Sequence, residues 1–395
     1  MSADFVVVST YARTPMGGLQ GAFAEVKATE LGAHAIRAAM ARSTLSGETV
    51  DRVYMGCVLP AGLGQAPARQ AALGAGLPQS AQATTVNKMC GSGMQAAIMA
   101  AETLQAGAAD VVIAGGMESM TGAPYLLAKH RGGARLGHDV VKDSMFLDGL
   151  EDAYLPGKLM GAFAEDSARA YQFSRQDQDA FAIESLTRAN KAIAGGAFDR
   201  EVAPMSVKTR NGVVEVNFDE QPGKAKLEKI PLLKPAFAAD GTVTAANSSS
   251  ISDGAAALVM TRVSTAQALG IPVAARVVAT AAHAHAPELF STAPNGAIQK
   301  VLEKAGWSIG EVDLFEINEA FAVVPMIAMR DLNIPHEKVN VNGGACALGH
   351  PIGASGARIM ATLIAALQNR GLTRGVAAIC LGGGEATAVA LDLIS

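Results

Sequence analysis

Cys90 is the residue of this 395-residue chain best placed for chemistry. It stands in Asn87-Lys-Met-Cys90-Gly-Ser-Gly93, where an extended segment gives way to a helix, and the glycines let the backbone turn sharply and approach a ligand. Unpaired N–H groups and the positive end of a helix dipole stabilise an anion there, and a thiolate is such an anion. With an ordinary pKa of about 8.5, a cysteine is only about 3% ionised at pH 7. A lowering by about two units would make it roughly three-quarters thiolate, a gain of about 25-fold for a nucleophile. Two other readings compete. A lone cysteine beside a glycine turn is often a small core residue. Gly91-Ser-Gly93-Met-Gln-Ala96 also fits the dinucleotide pattern G-x-G-x-x-G/A, but Asp110 precedes the strand Val111 to Ala114 instead of closing it, so that reading is the weaker.

Three further residues could complete a site: Asn318 in Asn318-Glu-Ala-Phe321, His350 in Gly349-His-Pro-Ile-Gly353, and Cys380 just before Gly382-Gly-Gly384. Singly, each has a plainer role as helix cap, turn histidine or core thiol. Jointly, one thiol attacks, the imidazole takes its proton, and the second thiol carries a proton to or from a substrate carbon. His283-Ala-His285 has no third ligand and reads as structural, not metal-binding. Cys57, Cys90, Cys346 and Cys380 form no C-x-x-C pair, so neither a zinc site nor a disulfide framework is indicated, and free thiols imply a reducing compartment.

The elements that must position these residues come in two similar series. The first has a strand at Val6 to Ser9, a helix from Thr29 (as N-cap) to Arg42, a strand at Val50 to Gly56, the Cys90 turn with its helix, and the strand Val111 to Gly116. The second has the strand Arg276 to Thr280, a helix Asn295 to Ala305, the strand Val312 to Ile317, the glycine-rich turn 342–356 with its helix, and the strand Val376 to Leu381. Asp51 recurs as Asp313 and Gly93 as Gly356, at offsets of 262 and 263 residues, and Gly115-Gly116 is set against Gly382-Gly-Gly384. This predicts an α/β fold of two duplicated units with mostly parallel central sheets and a site between equivalent turns. Residues 119–248 break the rhythm, with a helix expected over Ser174 to Ala194, and read as an inserted segment that covers the site. The expected division is 1–118 with 249–270, the insertion 119–248, and 271–395.

The chain is 50% hydrophobic but only 5% aromatic and carries a net charge of −4, so no global field favours nucleic acid or anionic membranes. No apolar run reaches the roughly 18 residues of a membrane span. The opening residues run directly into a strand and Leu393-Ile-Ser395 is no targeting signal, so a cytoplasmic location is expected. Pro222-Gly-Lys224-Ala-Lys226-Leu-Glu-Lys229, with Lys234, is the best local basic patch for a phosphate-bearing ligand; a solvated loop is the alternative.

In combination these motifs, with Gly115-Gly-Met-Glu-Ser119, resemble the thiolase family from the first strand to the last, and within it the acetyl-CoA acetyltransferases. The resemblance implies that Cys90 takes an acyl group as a thioester, that His350 activates it, and that Cys380 deprotonates the methyl carbon of a second acetyl-CoA. It implies one oxyanion hole from Asn318, through a water, with His350, and another from the N–H groups of Cys90 and Gly382. It places Met160 at the acyl pocket, Ser249 near the pantetheine arm, and CoA phosphates near Lys224 and Lys226. Acetyl-CoA, acetoacetyl-CoA and CoA would be the partners, with no metal or redox cofactor, in a homotetramer associating through the insertion. Leu159-Met160-Gly161 replaces the His-Met-Gly of many thiolases, and no arginine lies between Asn211 and Thr261. Alternatives are a broader-range 3-ketoacyl-CoA thiolase, a ketoacyl-synthase-type condensing enzyme, for which a second histidine is lacking, and a non-catalytic CoA-binding scaffold.

Overall fold

Most of the nine main strands are buried along nearly their whole length because they are covered on both faces. The computed structural model describes residues 4–210 and 212–394; residues 1–3 and Ser395 at the ends of the expected halves, and Asn211, lie outside it. The strands are β1 (Val6–Arg13), β2 (Arg52–Gly56), β3 (Gln82–Val86), β4 (Val111–Ser119), β5 (Ser252–Arg262), β6 (Ala275–Ala284), β7 (Leu314–Ile317), β8 (Arg374–Leu381) and β9 (Glu385–Asp392). Val112 and Ala114 of β4 point into a central core while Val111 and Ile113 point into an outer one. Ala377 and Ile379 of β8 join the same central core, and Val376, Ala378 and Cys380 face a third. Alternate side chains thus enter different cores, which leaves no polar face to betray the period.

The sheet order is β7-β8-β9-β6-β1-β5-β4-β2-β3, with Gly17–Gly18 beside β5. β2 pairs in parallel with β3 and β4, and β7 with β8. In each half only one strand, β5 or β9, opposes the rest, so the halves are mostly parallel in direction. A short antiparallel contact, Val7 with Arg276 and Val8 with Ala275, joins the halves into one sheet. Four long helices cover it: α1 (Ala28–Ser43), α2 (Ser92–Gln105), α5 (Ala293–Ala305) and α7 (Ser355–Arg370), numbered to leave room for α3 (Met160–Ala170), α4 (Arg175–Ala194) and α6 (Val323–Asp331). α2 and α7 lie side by side in the central core, giving it Ile98 and Leu104, and Ile359 and Leu363. α1 covers one half from outside and α5 the other.

The duplication extends to single hydrogen bonds. Asp51 accepts from the main-chain N–H of Asp110 and Val111 at 2.7 and 3.0 Å, and Asp313 accepts from those of Thr373 and Arg374 at 3.0 and 2.9 Å. The expected match of Gly115-Gly116 with Gly382-Gly-Gly384 is not found. Met55 pairs with Gly115 and Ile317 with Ala378, so Ala378 and Ile379 are the counterparts of the glycine pair. Thr29 is also not the cap of α1. It lies buried inside the helix, and Lys27 holds the cap position, its N–H donating to Glu30 at 3.0 Å. Ser174 does cap α4, where its hydroxyl accepts from Asp177 N–H at 3.1 Å.

Glu118, fully buried at the end of β4, holds loops of both halves together. Its carboxylate accepts from the N–H groups of Val58 (2.9 Å) and Leu59 (3.1 Å) in one half and of Gly353 (2.8 Å) in the other. Burial pushes its pKa up to about 7 against the pull of these donors. Glu118→Ala would leave three buried donors unpaired and is expected to cost about 3 kcal/mol or more, with Glu118→Gln losing less. Urea unfolding measures both, and an alanine loss below about 1 kcal/mol would show that the loops hold without it.

Candidate active site

Met89, the residue before Cys90, is left-handed at φ 44°. Such a conformation is strained for a side chain of this size and persists only where neighbours enforce it. Met89 N–H donates to Asn87 Oδ1 (3.1 Å), Lys88 N–H donates to Ser92 Oγ (2.8 Å), and the Ser92 hydroxyl donates to Met89 O (2.6 Å). This network presents Cys90 just ahead of α2, where the N–H groups of Gly382 and of Cys90 itself face its sulfur.

His350 has the protonation state that a base needs. The arrangement in which every group is satisfied has the Ser355 hydroxyl donating to Pro351 O at 2.9 Å and accepting from His350 Nδ1 at 2.5 Å. The proton therefore sits on Nδ1, and Nε2 carries the free lone pair. Asn318 Nδ2 is 3.5 Å from Nε2, and Asn318 Oδ1, buried, has no hydrogen-bond partner among the described residues. Asn318 caps no helix. It follows β7, its N–H donates to Ala378 O at 3.0 Å, and the next long helix, α6, starts at Val323.

Cys90, His350, Cys380, Gly382, Met160 and Ser249 all line one cavity of about 350 Å³ with a mainly apolar wall. Asn318 stands just behind it, reaching it through His350. Ser249 Oγ donates to Ala320 O at 2.9 Å, and Gly161 presses on the Phe237 ring, which forms part of the same wall. Lys224, Lys226 and Lys229 line a second cavity of about 350 Å³ that shares Ala245 and Ser250 with the first. The basic patch thus adjoins the cavity that Cys90 lines. Lys224 is also paired with Glu220. His283 and His285 meet edge to face at 5.2 Å, away from this cavity.

Residues 5–264 match the family description "Thiolase, N-terminal domain" and residues 271–393 match "Thiolase, C-terminal domain". The chain belongs to the thiolase family. It is 48% identical over 392 residues to acetyl-CoA acetyltransferase 2 of Arabidopsis thaliana, covering 98% of this chain and 97% of that one. It is 46% identical over 390 residues to a probable acetyl-CoA acetyltransferase of Dictyostelium discoideum, covering 98% and 94%. The crystal structure of the Bacillus anthracis acetyl-CoA acetyltransferase superposes with TM-score 0.96 at 39% identity, covering 99% of each chain. An Ascaris suum thiolase crystallised with coenzyme A gives TM-score 0.94 at 39% identity, covering 99% and 100%.

In this thiolase the resting Cys90 is not the depressed thiolate that its place before a helix suggests. Burial pushes its pKa up to about 11, outweighing the N–H groups of Gly382 and Cys90. Burial, aided by the Arg358 charge, pushes His350 down to about 3. Cys380 is raised by burial and by its closeness to Cys90. The site rests as neutral thiols beside a neutral imidazole. Sequence reasoning missed Ser355 as the partner that sets the imidazole tautomer, although it lies five residues beyond His350 in the same motif. Acylation of Cys90 by acetyl-CoA, followed as a single turnover, should be level from about pH 5 to 9, because neither group titrates there. A sigmoid rise centred between about pH 6 and 8 would contradict the neutral pair.

Proposed function

We propose that this thiolase is an acetyl-CoA C-acetyltransferase, joining two acetyl-CoA into acetoacetyl-CoA and CoA, reversibly. The observation that carries the reading is the meeting of two thiols and one histidine, its Nδ1 held by Ser355 Oγ, in a single apolar cavity that adjoins a lysine-lined one. As Cys90 Sγ bonds to the acetyl carbon, its proton passes to His350 Nε2, and the departing CoA thiolate takes the proton of Cys380. The N–H groups of Cys90 and Gly382 stabilise the oxyanion of this tetrahedral step. The Cys380 thiolate then removes a proton from the methyl group of the second acetyl-CoA, whose enolate oxygen is held by protonated His350 and by Asn318 through a water. The enolate carbon attacks the thioester, and the Cys90 sulfur leaves with the proton of His350. Every proton is returned, and no step calls on a metal or redox group.

Met160, Phe237 and Phe321 crowd the cavity and favour the shortest acyl groups. Residues 119–248 supply the CoA-facing cover, with Lys224 and Lys226 near the phosphates, while 1–118 with 249–270 and 271–395 carry the two sets of catalytic groups. The hairpin around Tyr125–Leu126 and Lys142–Asp143 exposes Tyr125, Leu127, Leu136 and Val140, and β3 is an edge strand. Both features suit a homotetramer that pairs edges and buries these side chains. The four free thiols fit the reducing cytoplasm.

CoA-dependent cleavage of a 3-ketoacyl-CoA series tests the reading. Activity should be highest on acetoacetyl-CoA and fall steeply with length; a flat or rising profile would make this a broader-range thiolase. Cys90→Ala should abolish turnover while CoA still binds, and Cys380→Ala should lower kcat by about 10²–10⁴-fold; unchanged activity in both would leave only a CoA-binding scaffold. Lys224→Ala and Lys226→Ala should each raise the KM for CoA about two- to fivefold with kcat unaltered. An unchanged KM would place the phosphates elsewhere.

A further inference from the structure

The two N–H groups assigned above to the first oxyanion hole come from opposite halves of the chain. Cys90 belongs to the turn before α2, and Gly382 to the three-glycine loop between β8 and β9. The tip of this loop is lightly packed. A side-chain carbon at Gly382 would meet Met89 Cε at 3.6 Å and Met160 Sδ and Met89 Cγ at 4.0 Å, and one at Gly383 would meet nothing within 4 Å, whereas Gly384 lies close against the main chain of His285 and Ala286. Beside it lies a further cavity of about 780 Å³, bordered by Lys88, Met89, Gly382, Gly383 and Glu385, which shares Gly149, Met160, Leu381 and Gly382 with the cavity that Cys90 lines. The Cys90 turn borders the same space and carries the strained Met89. The two loops touch through packing contacts, Met89 against Gly382 and Gly91 against Leu381.

An ion pair also spans them. Lys88, two residues before Cys90, forms an ion pair with Glu385, three residues after Gly382. Glu385 is well placed to act as an anchor, because it pairs in register with Leu381 on β8 and with Ala284 on β6 at the base of the glycine loop. Lys88 is fixed at its main chain, where its N–H donates to Ser92 Oγ and its carbonyl accepts from Gly91 N–H at 3.1 Å. The two side chains are 27% and 38% exposed, so the pair adds little to global stability. Its geometric effect is local, because it ties the strained turn to a rigid strand end.

We infer that Lys88 and Glu385 are positioning residues that set the separation of the Cys90 and Gly382 N–H groups, acting on the transition state and not on substrate binding. The inference rests on the thiolase reaction proposed above and adds two residues to it. Removing an oxyanion-hole donor outright costs about 10²–10³ in rate, and misplacing one costs less.

The test compares Glu385→Gln, Lys88→Met, the double variant Lys88→Met/Glu385→Gln and the exchange Lys88→Glu/Glu385→Lys in acetoacetyl-CoA thiolysis. Each single variant should lose about five- to thirtyfold in kcat with KM for both substrates within about twofold. The double variant should be no worse than either single one, and the exchange should return to within about threefold of the parent. Thermal midpoints serve as the control: a kcat loss in Glu385→Gln at an unchanged midpoint supports positioning. If a single variant loses stability, recovery by the exchange decides for the pair and failure to recover decides against it. A kcat within twofold of the parent in Glu385→Gln, single losses that multiply in the double variant, or a change confined to KM would overturn the inference. A parent protein without thiolysis would instead overturn the functional reading, and this inference with it.

Discussion

The arrangement depends on two helices meeting at their N-terminal ends with nothing between them. A side-chain carbon on Gly93 would lie 2.9 Å from the Ala357 nitrogen, and one on Gly356 would lie 2.3 Å from the Met94 nitrogen. Only glycine allows the main chains of α2 and α7 to come this close. Because both helices start at the crossing, the turns that lead into them, one carrying Cys90 and the other His350, are delivered to the same place. The central core of apolar side chains from both half-sheets then holds the pair in position.

Burial, not helix polarity, governs the electrostatics of the site that results. His350 and Cys380 are buried there and Cys90 is half-buried, and loss of hydration favours the neutral form of each titratable group. It raises the thiols and lowers His350, the opposite of what the dipole of an exposed helix end would do to Cys90. A neutral resting pair is compatible with acyl transfer because charge appears only as the proton moves, beside N–H groups already in place.

Buried carboxylates fix the loops that this requires. Glu118 gathers Val58, Leu59 and Gly353, and Glu319 accepts from Ser185 Oγ (2.8 Å), Asn340 Nδ2 (2.8 Å) and Cys346 N–H (3.0 Å). Arg13, at the end of β1, binds the inserted segment with Nε on Glu201 at 2.8 Å and two contacts to Asp219 at 2.6 and 2.9 Å. Charged groups so deeply buried are costly unless paired, and the pairing specifies where the insertion joins the core.

Much of this was legible in the residues. The Cys90 turn, the helix of residues 174–194, the alternation of strand and helix, and the repeat of Asp51 as Asp313 follow from local signals: glycine, capping chemistry, apolar runs and spacing. β5 and β9 gave no such signal, being alanine-rich and buried on both faces, so neither alternation nor β-branched side chains marked them. The glycine match failed because Gly115-Gly116 answers to packing against β5 and the Gly353 turn, a contact that no repeat of letters contains. The sequence by itself determined which residue types stand at the turns of Cys90, Asn318, His350 and Cys380 and that the frame beneath them is repeated, because residue types and spacing are local properties. Their protonation states, the tautomer of His350 and the union of turns hundreds of residues apart were decided only by the tertiary structure, because each depends on what surrounds a group once water has been excluded.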